Sequence, residues 1–391
     1  MKKILVVVAI LCFGSIAVAH AQSSVTLYGV ADAGITFNSN ANGKRQYFMS
    51  SGGLGADRWG LTGTEDLGGG LHALFTIEGG FLINSGAMDH SGQIADRQAF
   101  VGLSGGFGTV TFGRQYSSAY WYVGWPLTSG GSWAADGVGY GAHPGDVDNL
   151  DSFNRVNNAV IYTTPTINGF TGSAMYSLGG VPGSTSTNRI MAVGAGYVNG
   201  PITLGIGYQV ANQPNFSFFG NTSSASPTGN NISSPVDSGY AAASAQKIFS
   251  AGGAYTIGSA TIAAIYSNTR FTDLGRTTVS GLSSTEAAYR GTETFNIGEL
   301  NLKYVLTPAL SLGASYAYTQ ASGVNSARYQ QVDVGVDYFL SKRTDLYAVA
   351  VYQRAAGTDS RGLPAVASVA GVTASATNKQ VVSIAGIRHQ F

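Results

Sequence analysis

Apolar and polar residues alternate with a period of two along much of this chain, and after Val18 no apolar run approaches the roughly 20 residues of a membrane-crossing helix. Ile202, Leu204, Ile206, Tyr208 and Val210 alternate with Thr203, Gly205, Gly207 and Gln209. Leu310, Leu312, Ala314, Tyr316 and Tyr318 alternate with Ser311, Gly313, Ser315 and Thr319, and Val332, Val334, Val336 and Tyr338 with Asp333, Gly335 and Asp337. Successive side chains of an extended chain point to opposite faces, so each stretch predicts a strand with one apolar and one polar face. If the apolar face meets lipid, an open sheet edge would leave backbone groups unpaired in hydrocarbon, and the sheet has to close on itself.

The spacing of these strands is asymmetric. Short turns are predicted at 65–70, 104–108, 164–169, 199–201, 256–260, 306–309 and 340–345. Long polar loops are predicted around 38–46, 84–93, 117–154, 179–188, 212–245, 272–292, 320–327 and 355–378. Seven turns interleaved with eight loops make sixteen strands, with short periplasmic turns at one end and long external loops at the other. A soluble β-sandwich or a β-helix gives no such rhythm. Tyr176, Tyr208, Tyr266, Tyr316, Tyr318 and Tyr338 fall toward strand ends on apolar faces, as in the aromatic girdles of membrane barrels.

Composition agrees. Charged residues make up 10% of the chain, against roughly 25% in an average soluble protein. Residues 1–21 read as a secretory signal: Lys2 and Lys3, an apolar run over 4–18, and Ala19-His20-Ala21 as the cleavage site. The one cysteine, Cys12, lies within it, so the expected mature domain, 22–391, has no thiol for disulfides, catalysis or metal binding. Taking Lys2 and Lys3 from the 21 basic residues leaves 19 against 20 acidic ones, which gives no case for a nucleic-acid partner.

Several stretches together resemble one family. They are Ser24-Val-Thr-Leu-Tyr-Gly-Val-Ala-Asp-Ala-Gly34, Arg58-Trp-Gly-Leu-Thr-Gly-Thr-Glu-Asp-Leu-Gly68, Arg97-Gln-Ala-Phe-Val-Gly-Leu103, Phe112-Gly-Arg-Gln115, Arg155-Val-Asn-Asn-Ala-Val-Ile-Tyr162 and the terminal Gly386-Ile-Arg-His-Gln-Phe391. Along nearly all of the mature chain the sequence resembles the trimeric general porins of β-proteobacteria, the neisserial and Burkholderia type. The resemblance implies an all-β, sixteen-stranded antiparallel transmembrane barrel in the outer membrane of a Gram-negative bacterium, surrounded by lipid and lipopolysaccharide and assembled as a homotrimer. It also implies a third loop, 116–154, folded into the lumen, with Pro144-Gly-Asp146 standing where relatives carry Pro-Glu-Phe or Pro-Gly-Glu. Phe391 resembles the residue read by the barrel-assembly machinery. Gly29, Ala31 and Ala33 hint at close subunit packing.

Such a pore passes ions and small hydrophilic solutes without a catalyst or cofactor, and the charges at its constriction set which ions flow. Arg58 shares its phase with Gly60, Thr62 and Thr64, opposite Trp59 and Leu61, which points it inward. Arg155 shares a phase with Asn157 and Ala159, opposite Val156, Val160 and Tyr162. Arg97 has the parity of Val101 and Leu103, so the resemblance alone places it inward; Arg114 joins the cluster on the same ground. A rim position beside a neighbouring acid is the other reading of each arginine. Glu78 lies in the polar phase with His72 and Thr76. Asp136, Asp146, Asp148 and Asp151 of the third loop are expected to oppose this basic wall. Counting does not set the selectivity, and a weak anion preference is expected because guanidinium stays charged. The aromatics of 120–133 either line the eyelet or pack the loop on the barrel; packing is the expectation.

Other motifs fail on context. Gly102-Leu-Ser-Gly-Gly106 fits G-x-S-x-G but sits in a turn between strands, not at the strand-to-helix elbow a hydrolase needs. The glycine runs carry no G-K-[ST] ending. His72, His90, His143 and His389 have no metal-ligand spacing, and the acids of 146–151 match no calcium loop. A barrel lipase would need a Ser–His pair on the lipid face, whereas His72 points to the lumen. The alternative function is an adhesin or surface antigen acting through the loops at 212–245 and 355–378, whose Ser-, Gly-, Asn- and Ala-rich sequences read as flexible.

Overall fold

The first and last strands lie side by side. In the computed structural model, which describes residues 24–90, 92–129, 139–218, 226 and 228–391, β1 (Ser24–Ala41) pairs antiparallel with β18 (Lys379–Gln390) from Val30↔Gln390 to Asn38↔Val382. The expected signal segment and Asp136 lie outside the described residues. Between β1 and β18 run β2 (Lys44–Ser51), β3 (Arg58–Gly68), β4 (Leu71–Leu82), β5 (Ala87–Met88), β6 (Gln98–Gly105), β7 (Gly108–Gln115), β8 (Val156–Thr163) and β9 (Phe170–Ser177). They are followed by β10 (Ile190–Asn199), β11 (Ile202–Asn212), β12 (Ala245–Ile257), β13 (Ala260–Leu274), β14 (Gly291–Thr307), β15 (Leu310–Ser322), β16 (Ser326–Phe339) and β17 (Thr344–Thr358). Neighbours pair in chain order and antiparallel all the way round. β1 pairs with β3 through its first half and with β2 through its second, so β2 and β3 are two lengths of one wall strand. β5 pairs with the end of β4 in a loop hairpin. The wall is therefore a closed barrel of sixteen strands, and no described helix is long and apolar enough to cross a membrane.

All seven predicted turns fall between strands where the spacing puts them. Two predicted loops are shorter than expected. Strand pairing continues through most of 38–46 to a turn at Asn42-Gly43, and 320–327 reduces to a turn over 323–325. Polar residues in these stretches carry a loop-like composition because strands that project beyond the lipid have two wet faces.

Burial alternates along most of the wall, most regularly on β11 and β13 to β17. On β13 to β18 the inward positions include Ser267, Thr269, Glu299, Asn301, Thr319, Gln331, Asp333, Gln353 and Gln380. The outward positions, such as Leu204, Tyr208, Tyr266, Tyr316, Val334 and Tyr338, are exposed, as a lipid-facing surface requires. The polar-inside rule breaks where loops are seated. Phe271, Phe295, Ile297, Tyr347, Val349, Val351, Val382 and Ile384 also face inward and are buried under them.

The third loop packs on the inner wall. A short π-turn, α1 (Tyr120–Gly124), runs into one turn of helix, α2 (Trp125–Leu127), and lies across β10 to β12. Gly205 on β11 makes this approach possible: a Cβ there would be 1.8 Å from the Tyr122 carbonyl oxygen. Ala119, Val123 and Leu127 are buried against the wall. Side chains of the wall then bind the loop backbone: Asn301 Nδ2 donates to Leu127 O (2.7 Å), Gln246 Nε2 to Val147 O (2.9 Å), and Gln331 Nε2 to Tyr140 O (3.2 Å).

The loops at 212–245 and 355–378 are not the free chains that their composition suggests. Val236, Tyr240 and Ala243 are buried with Phe271, Phe295 and Tyr329, and Val369 packs with Tyr140, Tyr347 and Val351. Their small, uncharged residues are what close packing in the barrel mouth needs.

Candidate pore constriction

Strands β1, β3 and β4, with the segments just before β6 and β8 and the start of the third loop, bring three of the arginines together. Arg58 opens β3 on its inward phase, and Glu78 lies beside it on β4, opposite Gly60. Tyr28 of β1 reaches across Gly60, where a Cβ would be 2.4 Å from its ring, and donates its hydroxyl to Glu78 Oε2 at 2.8 Å. Arg58 Nε stands 3.8 Å from the same oxygen, while its Nη1 donates to Ala56 O at 3.1 Å. Arg97 precedes β6, so strand parity does not govern it. Its own N–H donates to the Glu78 carbonyl (3.2 Å), its Nε to Glu78 Oε1 (2.8 Å) and its Nη2 to the Tyr116 hydroxyl (2.9 Å). Arg155 precedes β8, with its guanidinium carbon 5.1 Å from the centre of the Tyr116 ring. Tyr116 and Tyr28, which the sequence reading did not select, join two of the arginines and Glu78 into one network.

Arg58, Arg97 and Arg155 line a lumenal cavity of about 640 Å³, together with Tyr116, Tyr120 and Trp125. Asp146 and Asp151 of the third loop line it as well, as do Asp57, Asp89 and Asp237. Arg114 does not. Its Nε donates to Asp96 O at 2.6 Å and its Nη1 to Asn157 Oδ1 at 2.5 Å, which ties β7 to the second loop and to β8. A register irregularity between Gly113 and Gln115 accompanies this departure from the strand phase.

The loop acids divide by environment. Asp146 accepts the backbone N–H groups of Asp151 (3.1 Å) and Phe153 (2.9 Å), and burial, with the charges of Asp151 and Asp148, pushes its carboxyl well above the usual range. Asp237 is pushed up in the same way by burial and by Asp146. Asp148 lies behind the cavity lining. Its Oδ2 meets His143 Nδ1 (2.7 Å) and Ser267 Oγ (2.5 Å), and Glu299 Oε2 meets His143 Nε2 on the other side (2.6 Å). Burial would lower the pKa of His143, but these two carboxylates hold it well above the ordinary histidine value. Burial would raise Asp148, but the His143 charge and the hydrogen bonds hold it low.

Asp89, His90 and Asp96 bring three ligand atoms within 4.8 Å of one another. His90 Nδ1 is engaged with Asp96 Oδ2 at 2.7 Å, so a hydrogen bond accounts for the cluster. His72 lies near the turn end beside Asp66 (3.9 Å), and His389 meets Thr344 Oγ1 (2.9 Å).

Residues 7–358 match the family described as Gram-negative porin. The chain belongs to that family. This porin is 30% identical to outer membrane porin protein 32 of Delftia acidovorans over the full length of both chains. It is 34% identical to an outer membrane porin protein of Bordetella pertussis over 55% of this chain and 61% of that one. Among solved structures, the porin fold superposes on an anion-selective porin from Comamonas acidovorans with a TM-score of 0.70 at 24% identity, covering 95% of this chain and 100% of that one. OmpT of Vibrio cholerae gives 0.63 at 16% identity, with 94% and 98% covered. The porin is an outer-membrane channel, not an enzyme.

Proposed function

We propose that the channel is a general diffusion pore for ions and small hydrophilic solutes, with a weak anion preference set where Arg58, Arg97 and Arg155 line the lumen. The observation that carries this reading is that the charges buried around one cavity respond differently to burial. Guanidinium stays ionised, whereas burial pushes the carboxyls of Asp146 and Asp237 toward the neutral form. Glu78 tempers the field by pairing with Arg58 and Arg97. Asp151, and Asp136 in the same loop, supply the opposing charge, while Arg114 and Asp148 hold the loops that frame the opening. The similarity to the anion-selective porin of Comamonas acidovorans supports the same sign.

Residues 1–21 are removed on export, Phe391 is read by the barrel-assembly machinery, and three copies associate in the outer membrane through an outward face that includes Gly29, Ala31 and Ala33. Adhesion through the loops at 212–245 and 355–378 is disfavoured because so many of their residues are buried in the mouth.

Reversal potential in a KCl gradient across a planar bilayer tests the pore. An anion-selective sign is expected, and Arg58→Ala with Arg155→Ala should lower chloride permeation relative to potassium. No conductance defeats the pore reading; an unchanged permeability ratio in the double variant removes these arginines from the constriction.

A further inference from the structure

The turn that carries the third loop across the lumen has two unlike faces. Ala119, Val123 and Leu127 are buried on the wall, and Tyr122 covers Gly194 and Gly196. Trp121 and Trp125, one turn apart, project the other way and remain 46% and 44% exposed. Burying the aromatics of this stretch against the barrel was the expectation from sequence, and for these two indoles it does not hold. Trp125 lines the same cavity as the arginines.

The rings form a continuous series from the guanidiniums to the open lumen. Arg155 lies over Tyr116 (5.1 Å), and Arg97 donates to its hydroxyl (2.9 Å). Tyr116 stacks on Tyr120 at 4.3 Å. Trp121 stands edge-on to both, at 5.4 and 5.1 Å, and Trp125 follows at 6.3 Å from Tyr120. Packing explains Tyr116 and Tyr120, which are buried, but not two indoles left half in water. Trp125 offers a planar π-face in the same cavity as charge-assisted hydrogen-bond donors, and Trp121, edge-on to Tyr116 and Tyr120, extends the aromatic strip beyond that lining.

We infer that this strip is a subsite for planar aromatic carboxylates of the benzoate class, with the ring against Trp121 or Trp125 and the carboxylate toward Arg58 and Arg155. The inference rests on the pore reading above and deepens it by naming a solute class. Saturated carboxylates of equal charge and similar size would meet the same arginines without ring stacking, and aromatic cations would be repelled by them.

The test is single-channel recording from the full-length porin in KCl with sodium benzoate, sodium cyclohexanecarboxylate or benzylammonium chloride added. Benzoate is expected to interrupt the current at about two- to tenfold lower concentration than cyclohexanecarboxylate, the range that one aromatic contact supplies. Trp121→Leu with Trp125→Leu should close that gap. Equal effects of the two carboxylates on the wild-type channel overturn the subsite without any variant. So does a gap that survives the double substitution, or a stronger effect of benzylammonium than of benzoate. A cation-selective reversal potential in KCl alone is a separate result, and defeats the anion preference rather than the ring selectivity.

Discussion

His143 Nε2 lies 2.6 Å from Glu299 Oε2, and this contact fastens the third loop to β14 across the width of the inner wall. Asp148 closes the other side of the imidazole from within the loop, so one protonated ring joins two carboxylates that would otherwise repel each other. Replacing His143 with Ala is expected to leave both acids buried and uncompensated, at a cost of about 3–5 kcal/mol. Urea unfolding monitored by gel mobility, together with single-channel noise, should show a less stable barrel and a loop that fluctuates. Unchanged noise would mean the loop is held by its backbone contacts alone.

The same triad sets a pH window. Asp148 has a lowered pKa, so its contribution is present above the ordinary carboxylate value and is lost as pH falls through the lower folded value. His143 has a raised pKa, so its contribution is complete below the ordinary histidine value and is lost as pH rises through the higher folded value. Channel noise should therefore be flat between about pH 5 and 6 and should grow on the alkaline side. The alkaline rise should vanish in His143→Gln; noise that grows between about pH 5 and 6 would contradict the assignment.

Gly205→Val tests the loop's seat without touching a charge. The added side chain meets the Tyr122 carbonyl and forces α1 away from β11. The expected result is a barrel that still folds, seen by circular dichroism, with an altered conductance level.

Glu78→Gln should strengthen the anion preference, since it removes the negative charge shared by Arg58 and Arg97. An unchanged reversal potential would place Glu78 outside the field that ions cross.

Asp237→Asn should be neutral or stabilising at alkaline pH. Asp237 is pushed toward its protonated form, and its Oδ1 has no hydrogen bond among the described residues. An uncharged isostere avoids ionising that group as pH rises. Loss of stability at pH 9 would show that its charge is used.

The wall was legible because alternation is a property of the strand itself, as on β11, β15 and β16. β17 was harder to read, since Tyr347, Val349 and Val351 face inward between outward Leu346, Ala348 and Ala350, and the run is apolar throughout. Parity located Arg58, which lies within a strand, but carries no information for Arg97, which lies before one. The role of His143 depends on irregular loop backbone meeting Glu299, 156 positions away, and those of Tyr116 and Asp237 on loop backbone meeting Arg97, Arg155 and Asp146 from other segments; no local pattern encodes such meetings.

The pairing of Val30 with Gln390 joins the two ends of the described chain. Neighbouring hairpins can form as each is delivered, but this seam is the contact of greatest sequence separation, and loop-closure entropy makes such contacts late and slow. Until it forms, the sheet has two unsatisfied margins, each a template for pairing with another chain. The hazard for this protein is thus kinetic: not how stable the finished ring is, but how long β1 and β18 wait for each other.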